Sequence, residues 1–149
     1  MFGKLKELIA NGTNRLSGKT DLLEGIAAGG ILISAADGEM DSDEVGVLLE
    51  AMLGHEVLAA AFSESVIQQT VDKMVKKASP NAAGKIGMVG KIALEREVKE
   101  VKAKSSTDDI EIMMAILVDV ASADADGIEP AERAVINKIS NSLGFGNYI

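Results

Sequence analysis

Residues 20–44 read TDLLEGIAAGGILISAADGEMDSDE, and this stretch decides the fold. From Leu22 to Ala36 it is apolar or small almost all the way round a helical wheel, with no charge after Glu24. That is the composition of a helix buried on every side. The remainder crowds five carboxylates, Asp37, Glu39, Asp41, Asp43 and Glu44, into eight positions with no base among them. The pattern then returns at residues 107–132 as TDDIEIMMAILVDVASADADGIEPAE. An offset of 87 lays Thr20, Asp21, Glu24 and Asp37 over Thr107, Asp108, Glu111 and Asp124. An offset of 88 lays Met40, Asp41 and Glu44 over Ile128, Glu129 and Glu132. A helix–acidic turn–helix unit is therefore written twice, with a one-residue difference in the turn. Two such units pack naturally around a pseudo-twofold axis.

Outward from this pair, apolar residues recur at helical spacing. Phe2, Leu5, Leu8 and Ile9 form one side of a short first helix, followed by a polar connector to Lys19. Thr20 or Asp21 can cap the buried helix, with Glu24 placed to close a capping box. Val45, Leu48, Leu49, Met52 and Leu53 line the helix after the first acidic turn, and Val57, Leu58 and Phe62 suggest a short segment beyond it. Ser63 or Ser65 caps a helix carrying Val66, Ile67, Val71, Met74 and Val75. After the break at Ser79-Pro80-Asn81, a long helix carries Ile86, Val89, Ile92, Ala93, Val98 and Val101. The last helix starts near Pro130, carries Val135, Ile136, Ile139 and Leu143, and stops at Gly144. No hairpin or alternating strand pattern appears. The reading is all-α, with seven to eight helices: residues 1–19 form a short helix and connector, and residues 20–149 a single helical domain.

Composition narrows the function. The chain of 149 residues has no cysteine, which removes thiolate zinc sites and Cys nucleophiles. A net charge of −8 argues against nucleic-acid binding. Nine of the fifteen basic residues nonetheless fall between Lys73 and Lys104, so a basic face can stand opposite the acidic turns, or simply solvate exposed helices. The first residues lack the long apolar core of an export signal, and Gly25 to Ala36 is too short to span a bilayer. A cytoplasmic protein without direct membrane insertion is expected.

Helix starts account for part of each acidic phrase. Asp41 with Glu44, and Glu129 with Glu132 around Pro130, are capping pairs, and Gly38 and Gly127 permit the tight turns. Asp37 and Asp124 close the preceding helices, where a negative charge faces exposed carbonyls and is disfavoured. Oxygen-only crowding of this kind suits a hard cation, Ca²⁺ or Mg²⁺. It is not an EF-hand: counted from Asp37, the sixth position is Ser42 in place of Gly and the twelfth is Leu48 in place of Glu. Metal binding and a capped, solvated acidic turn both remain open at this point. Among the other signals, the lone His55, the methionines 52, 74, 88, 113 and 114, and the glycines 84, 87 and 90 read as structural: a helix-end residue, core filler and close helix packing. Asp119 reads as the polar face of its helix.

The phrases Ala36-Asp37-Gly38-Glu39-Met40-Asp41-Ser42-Asp43-Glu44 and Ala125-Asp126-Gly127-Ile128-Glu129-Pro130-Ala131-Glu132, with the closing Ile139-Ser140-Asn141-Ser142-Leu143-Gly144-Phe145, resemble the TerB family of tellurite-resistance and stress-response proteins. The same fold occurs in the N-terminal part of some membrane-anchored J-domain co-chaperones. The resemblance covers roughly Asp21 to Phe145. It implies a TerB-like bundle with internal pseudo-twofold duplication and a non-enzymatic role scaffolding other proteins of a stress-response system, membrane-linked ones among them, with recruitment to the inner face of the membrane. It also implies a divalent cation, here Ca²⁺ favoured over Mg²⁺. The ligand candidates carried over are Asp37 and Glu44 in the first copy and Asp126 and Glu132 in the second. Asp124 is an alternative to Asp126, and Glu39, Asp41 and Glu129 are weaker candidates. Two rival readings stand beside it: a metal-free helical interaction module, and a metal-dependent hydrolase, which lacks a histidine near the cluster and a second catalytic group.

Overall fold

The computed structural model describes residues 18–36, 42–79, 86–122 and 127–149. The helix expected from Thr20 is α1 (Thr20–Ser34). Six helices follow among the described residues: α2 (Ser42–Gly54), α3 (Glu56–Ala61), α4 (Glu64–Ala78), α5 (Met88–Lys104), α6 (Thr107–Ala121) and α7 (Pro130–Ser142). No strand occurs among the described residues, so the all-α reading holds. The candidates Asp37, Glu39, Asp41, Asp124 and Asp126, the first helix read at Phe2–Ile9, and Pro80–Lys85 lie outside the described residues.

α1 is the axis of the fold. Leu22, Leu23, Ile26, Ala27, Ala28 and Ile31 are fully buried, and α1 touches α2, α4, α5, α6 and α7. A helix can be this surrounded only if its neighbours come close, and its glycines provide the room. A methyl group on Gly25 would stand 2.6 Å from Val101 of α5. On Gly29 it would stand 3.0 Å from Leu117 of α6, and on Gly30 2.6 Å from Leu48 of α2. The nearest side chain in each notch thus comes from a different helix, in exchange for the roughly 1 kcal/mol of helix propensity that each glycine forfeits. α6, the counterpart of α1 in the second copy, packs beside it, with Met113, Met114 and Leu117 fully buried.

The helix starts largely follow the sequence. Ser63 Oγ accepts from Val66 N at 3.2 Å, and Ser106 Oγ accepts from Asp109 N at 3.2 Å. α1 departs from expectation. Its N-cap is Lys19, without a side-chain cap, and Glu24 accepts instead from Lys73 of α4 at 3.2 Å. Lys19 reaches Asp109, buried at the start of α6, at 2.7 Å, tying together the first turns of the two central helices.

α5 is a second correction. Its buried line is Gly90, Leu94, Val98 and Val101. Val89, read as core, is 83% exposed, Met88 is 79% exposed and Ile92 is exposed as well. A methyl group on Gly90 would lie 2.2 Å from the carbonyl oxygen of Ala78. That backbone contact with the end of α4 selects which stripe of α5 turns inward, and it leaves the other stripe outside.

After α7 the chain folds back on that helix. Asn137 Oδ1 accepts from both Tyr148 N at 2.8 Å and Ile149 N at 3.0 Å. Partial burial, then the charges of Glu111 and Asp119, push the Tyr148 pKa above 10.0. Among the described residues, no helix is long and apolar enough to cross a membrane.

Two measurements follow from these contacts. Gly90→Ala should destabilise the protein by about 1–3 kcal/mol, because backbone cannot move aside. Gly46→Ala should stabilise it by about 0.5–1 kcal/mol, as a methyl group on this exposed helical glycine meets nothing within 4 Å. Denaturant melts check both signs. Tyr148, the only tyrosine, should ionise with a midpoint above 10.0 by ultraviolet titration, and Glu111→Gln with Asp119→Asn should lower that midpoint. A folded pKa above the unfolded one means that its contribution to stability is present below pH 10.0 and is lost as pH rises through the folded value.

Candidate metal centre

Glu44 is the third residue of α2 and Glu132 the third of α7. At the third helical position a carboxylate faces the unpaired amides of the first turn and the positive end of the helix dipole. In the second copy the expected capping box closes: Glu129 is the N-cap, Pro130 is the first helical residue, and Glu132 Oε1 accepts from Glu129 N at 2.9 Å. Gly127 takes φ +71°, the left-handed turn expected of it.

Both helix starts open onto one cavity of about 380 Å³. Its walls come in pairs related by the duplication. Ile33 and Ser34 of α1 line it together with Val120 and Ala121 of α6, at an offset of 87. Asp43 and Glu44 of α2 line it together with Ala131 and Glu132 of α7, at an offset of 88. The repeat therefore meets itself at this cavity. Asp43, Glu44, Glu129 and Glu132 all line it, and among the described residues no basic side chain does. Glu44 and Glu132 are half-buried while Asp43 and Glu129 are exposed, and Glu44 Oε2 is buried.

Of the expected ligands, the structure brings together Glu44, Glu129 and Glu132. Among the described residues, no three Asp, Glu, His or Cys side chains converge as a metal-binding group. What stands is two carboxylate-bearing walls. Asp43 was legible only as one of five crowded acids. Its position four residues before Val47, with Glu44 four before Leu48, puts all four on the helical face that lines the cavity.

His55 is structural, as read. Its Nδ1 accepts from Val57 N at 3.3 Å to cap α3, while Nε2 lies 3.1 Å from Asp119 Oδ2. Asp119, on the exposed face of α6, thus partners the histidine and does not line the acidic cavity.

Residues 23–148, which include both acidic turns, match the family described as tellurite resistance protein TerB. The chain belongs to the TerB family. No curated protein and no solved structure matches it significantly. The match ends inside the segment that folds back on α7 and takes in all of α2 to α7, so the helices that build the cavity are part of the TerB domain.

The cap and the charge of Glu132 can be separated in this TerB protein. Glu132→Ala should cost about 1 kcal/mol by removing the acceptor for Glu129 N. Glu132→Gln keeps an acceptor oxygen while removing the charge, and its melting temperature should stay within a degree or two of wild type. Calorimetric melts of the two variants give the comparison.

Proposed function

We propose that this TerB protein is a non-enzymatic binding module that holds one divalent cation between its two acidic turns and presents the surface so fixed to partner proteins of a stress-response system. The observation that carries the reading is that Glu44 and Glu132, equivalent residues of the two copies, line a single cavity. The lining donors are carboxylates, which suit a hard ion. A volume of about 380 Å³ leaves room for an ion with several waters, at roughly 30 Å³ each. Ca²⁺ is favoured over Mg²⁺ because it accepts six to eight oxygens in irregular arrangements, about 2.3–2.6 Å away, where Mg²⁺ demands a near-ideal octahedron. Glu44 and Glu132 would hold the ion from opposite walls. Asp37 and Asp124 or Asp126 are the remaining candidate ligands. The ion's part is to neutralise facing carboxylates and tie the first turn of α2 to that of α7. The resemblance to co-chaperone domains supports a place at the inner face of the membrane beside membrane-linked partners.

A metal-free interaction module is the second reading, and Glu132 favours it: one of its oxygens is already engaged in the cap. The two readings separate in a calorimetric titration of Ca²⁺ into protein treated with chelator. The expected result is one ion per chain, with binding at least tenfold weaker in Glu44→Gln/Glu132→Gln and a melting temperature raised by Ca²⁺. No heat at millimolar Ca²⁺, or an unchanged isotherm in the double variant, would leave the acidic turns as caps alone.

A further inference from the structure

A second concave surface adjoins the acidic cavity at Ala36 and opens on the α5–α7 side of α1. Between the end of α1 and the faces of α5 and α7 runs a groove of about 240 Å³, floored by Leu32, Val98, Val135 and Ile139. Among the described residues its rim carries three lysines, Lys91, Lys99 and Lys138, against one carboxylate, Glu95. Lys138 pairs with Glu95 at 3.0 Å in an exposed contact of the kind that contributes little and is readily exchanged. Among the described residues, Lys91 and Lys99 have no ion-pair partner. In a chain of net charge −8, an apolar floor edged by lysines is a local reversal of sign.

The groove continues along α5. Met88, Ile92, Glu95 and Lys99 fall at i, i+4, i+7 and i+11, one stripe of the helix. The outward turn of α5 leaves Met88 and Ile92 exposed on this stripe. Apolar surface followed by cationic surface thus extends about 16 Å, three helical turns at 1.5 Å per residue.

We infer that this groove docks an acidic amphipathic helix of a partner protein. Its apolar residues would seat on Leu32, Val98, Val135 and Ile139 and continue over Ile92 and Met88. Its carboxylates would take Lys91, Lys99 and Lys138. An amphipathic helix laid in an apolar groove is anchored at i, i+3, i+4 and i+7, and the charged rim sets its orientation and excludes basic helices. The inference deepens the scaffolding half of the proposed function and does not depend on the cation, so binding is measured with EDTA present.

The probe is a fluorescein-labelled, amidated peptide of about fifteen residues, the length at which isolated helices begin to form in water, with Leu at i, i+3, i+4 and i+7 and Glu on its other face. Fluorescence anisotropy with the full chain at low salt should show saturable binding. Lys91→Glu/Lys99→Glu and, separately, Ile92→Asp should each weaken it at least tenfold while circular dichroism remains unchanged. Glu44→Gln/Glu132→Gln should leave it intact. Absence of saturation, equal binding of the same peptide with Lys in place of Glu, or indifference to both groove variants overturns the inference. Two further outcomes reassign the surface and equally overturn it. One is flotation with phosphatidylcholine–phosphatidylglycerol vesicles, lost in Lys91→Glu/Lys99→Glu, without peptide binding, which makes it a lipid contact. The other is peptide binding that emerges only in Leu5→Glu/Leu8→Glu, which makes residues 2–9 of the same chain the occupant.

Discussion

The fold depends on how closely helices approach α1. Fifteen residues at the centre of the domain meet five other helices, and such crowding is tolerated because Gly25, Gly29 and Gly30 remove side chains where neighbours enter. Leucine or isoleucine at these positions would hold the neighbouring helices away and open voids on either side. In a protein with no tryptophan and three phenylalanines, large aromatic side chains are not available to fill such voids. Stability instead comes from many small, well-seated aliphatic contacts, and packing at this density makes each of them sensitive to a single methylene.

The duplicated unit places two like-charged helix starts on one cavity. Electrostatically this is a compromise: each carboxylate is stabilised by the amides and dipole of its own helix, and disfavoured by the acids across the gap. Glu132 is held by the backbone of its own cap, and Glu44 is half-buried, with one carboxylate oxygen buried at the cavity wall.

Much of this was legible before any coordinates. α1 announced itself by being apolar almost all the way round, and the offsets of 87 and 88 identified residues that line one cavity. The caps at Ser63 and Glu129 followed from local chemistry alone. What escaped were features decided by partners distant in the chain. The rotation of α5 is set by Gly90 against a carbonyl of α4, and two overlapping apolar stripes on that helix gave no local reason to prefer one. Glu24 left its expected box for Lys73, and Lys19 found Asp109 90 residues away. Asp43 faces the cavity through the phase of its helix, which the crowding of five acids concealed.

Leu48 occupies two roles at once. It is the side chain that fills the notch at Gly30, and with Gly30 it also forms part of the cavity wall below Glu44. The acidic cavity and the apolar core therefore share a hinge pin. A change at the carboxylates that rotates or draws in the start of α2 must shift Leu48 against α1, and a change in α1 at Gly30 must tilt the carboxylates. In mechanical terms the cavity wall and the core share one packing contact, and the position of α2 is common to both.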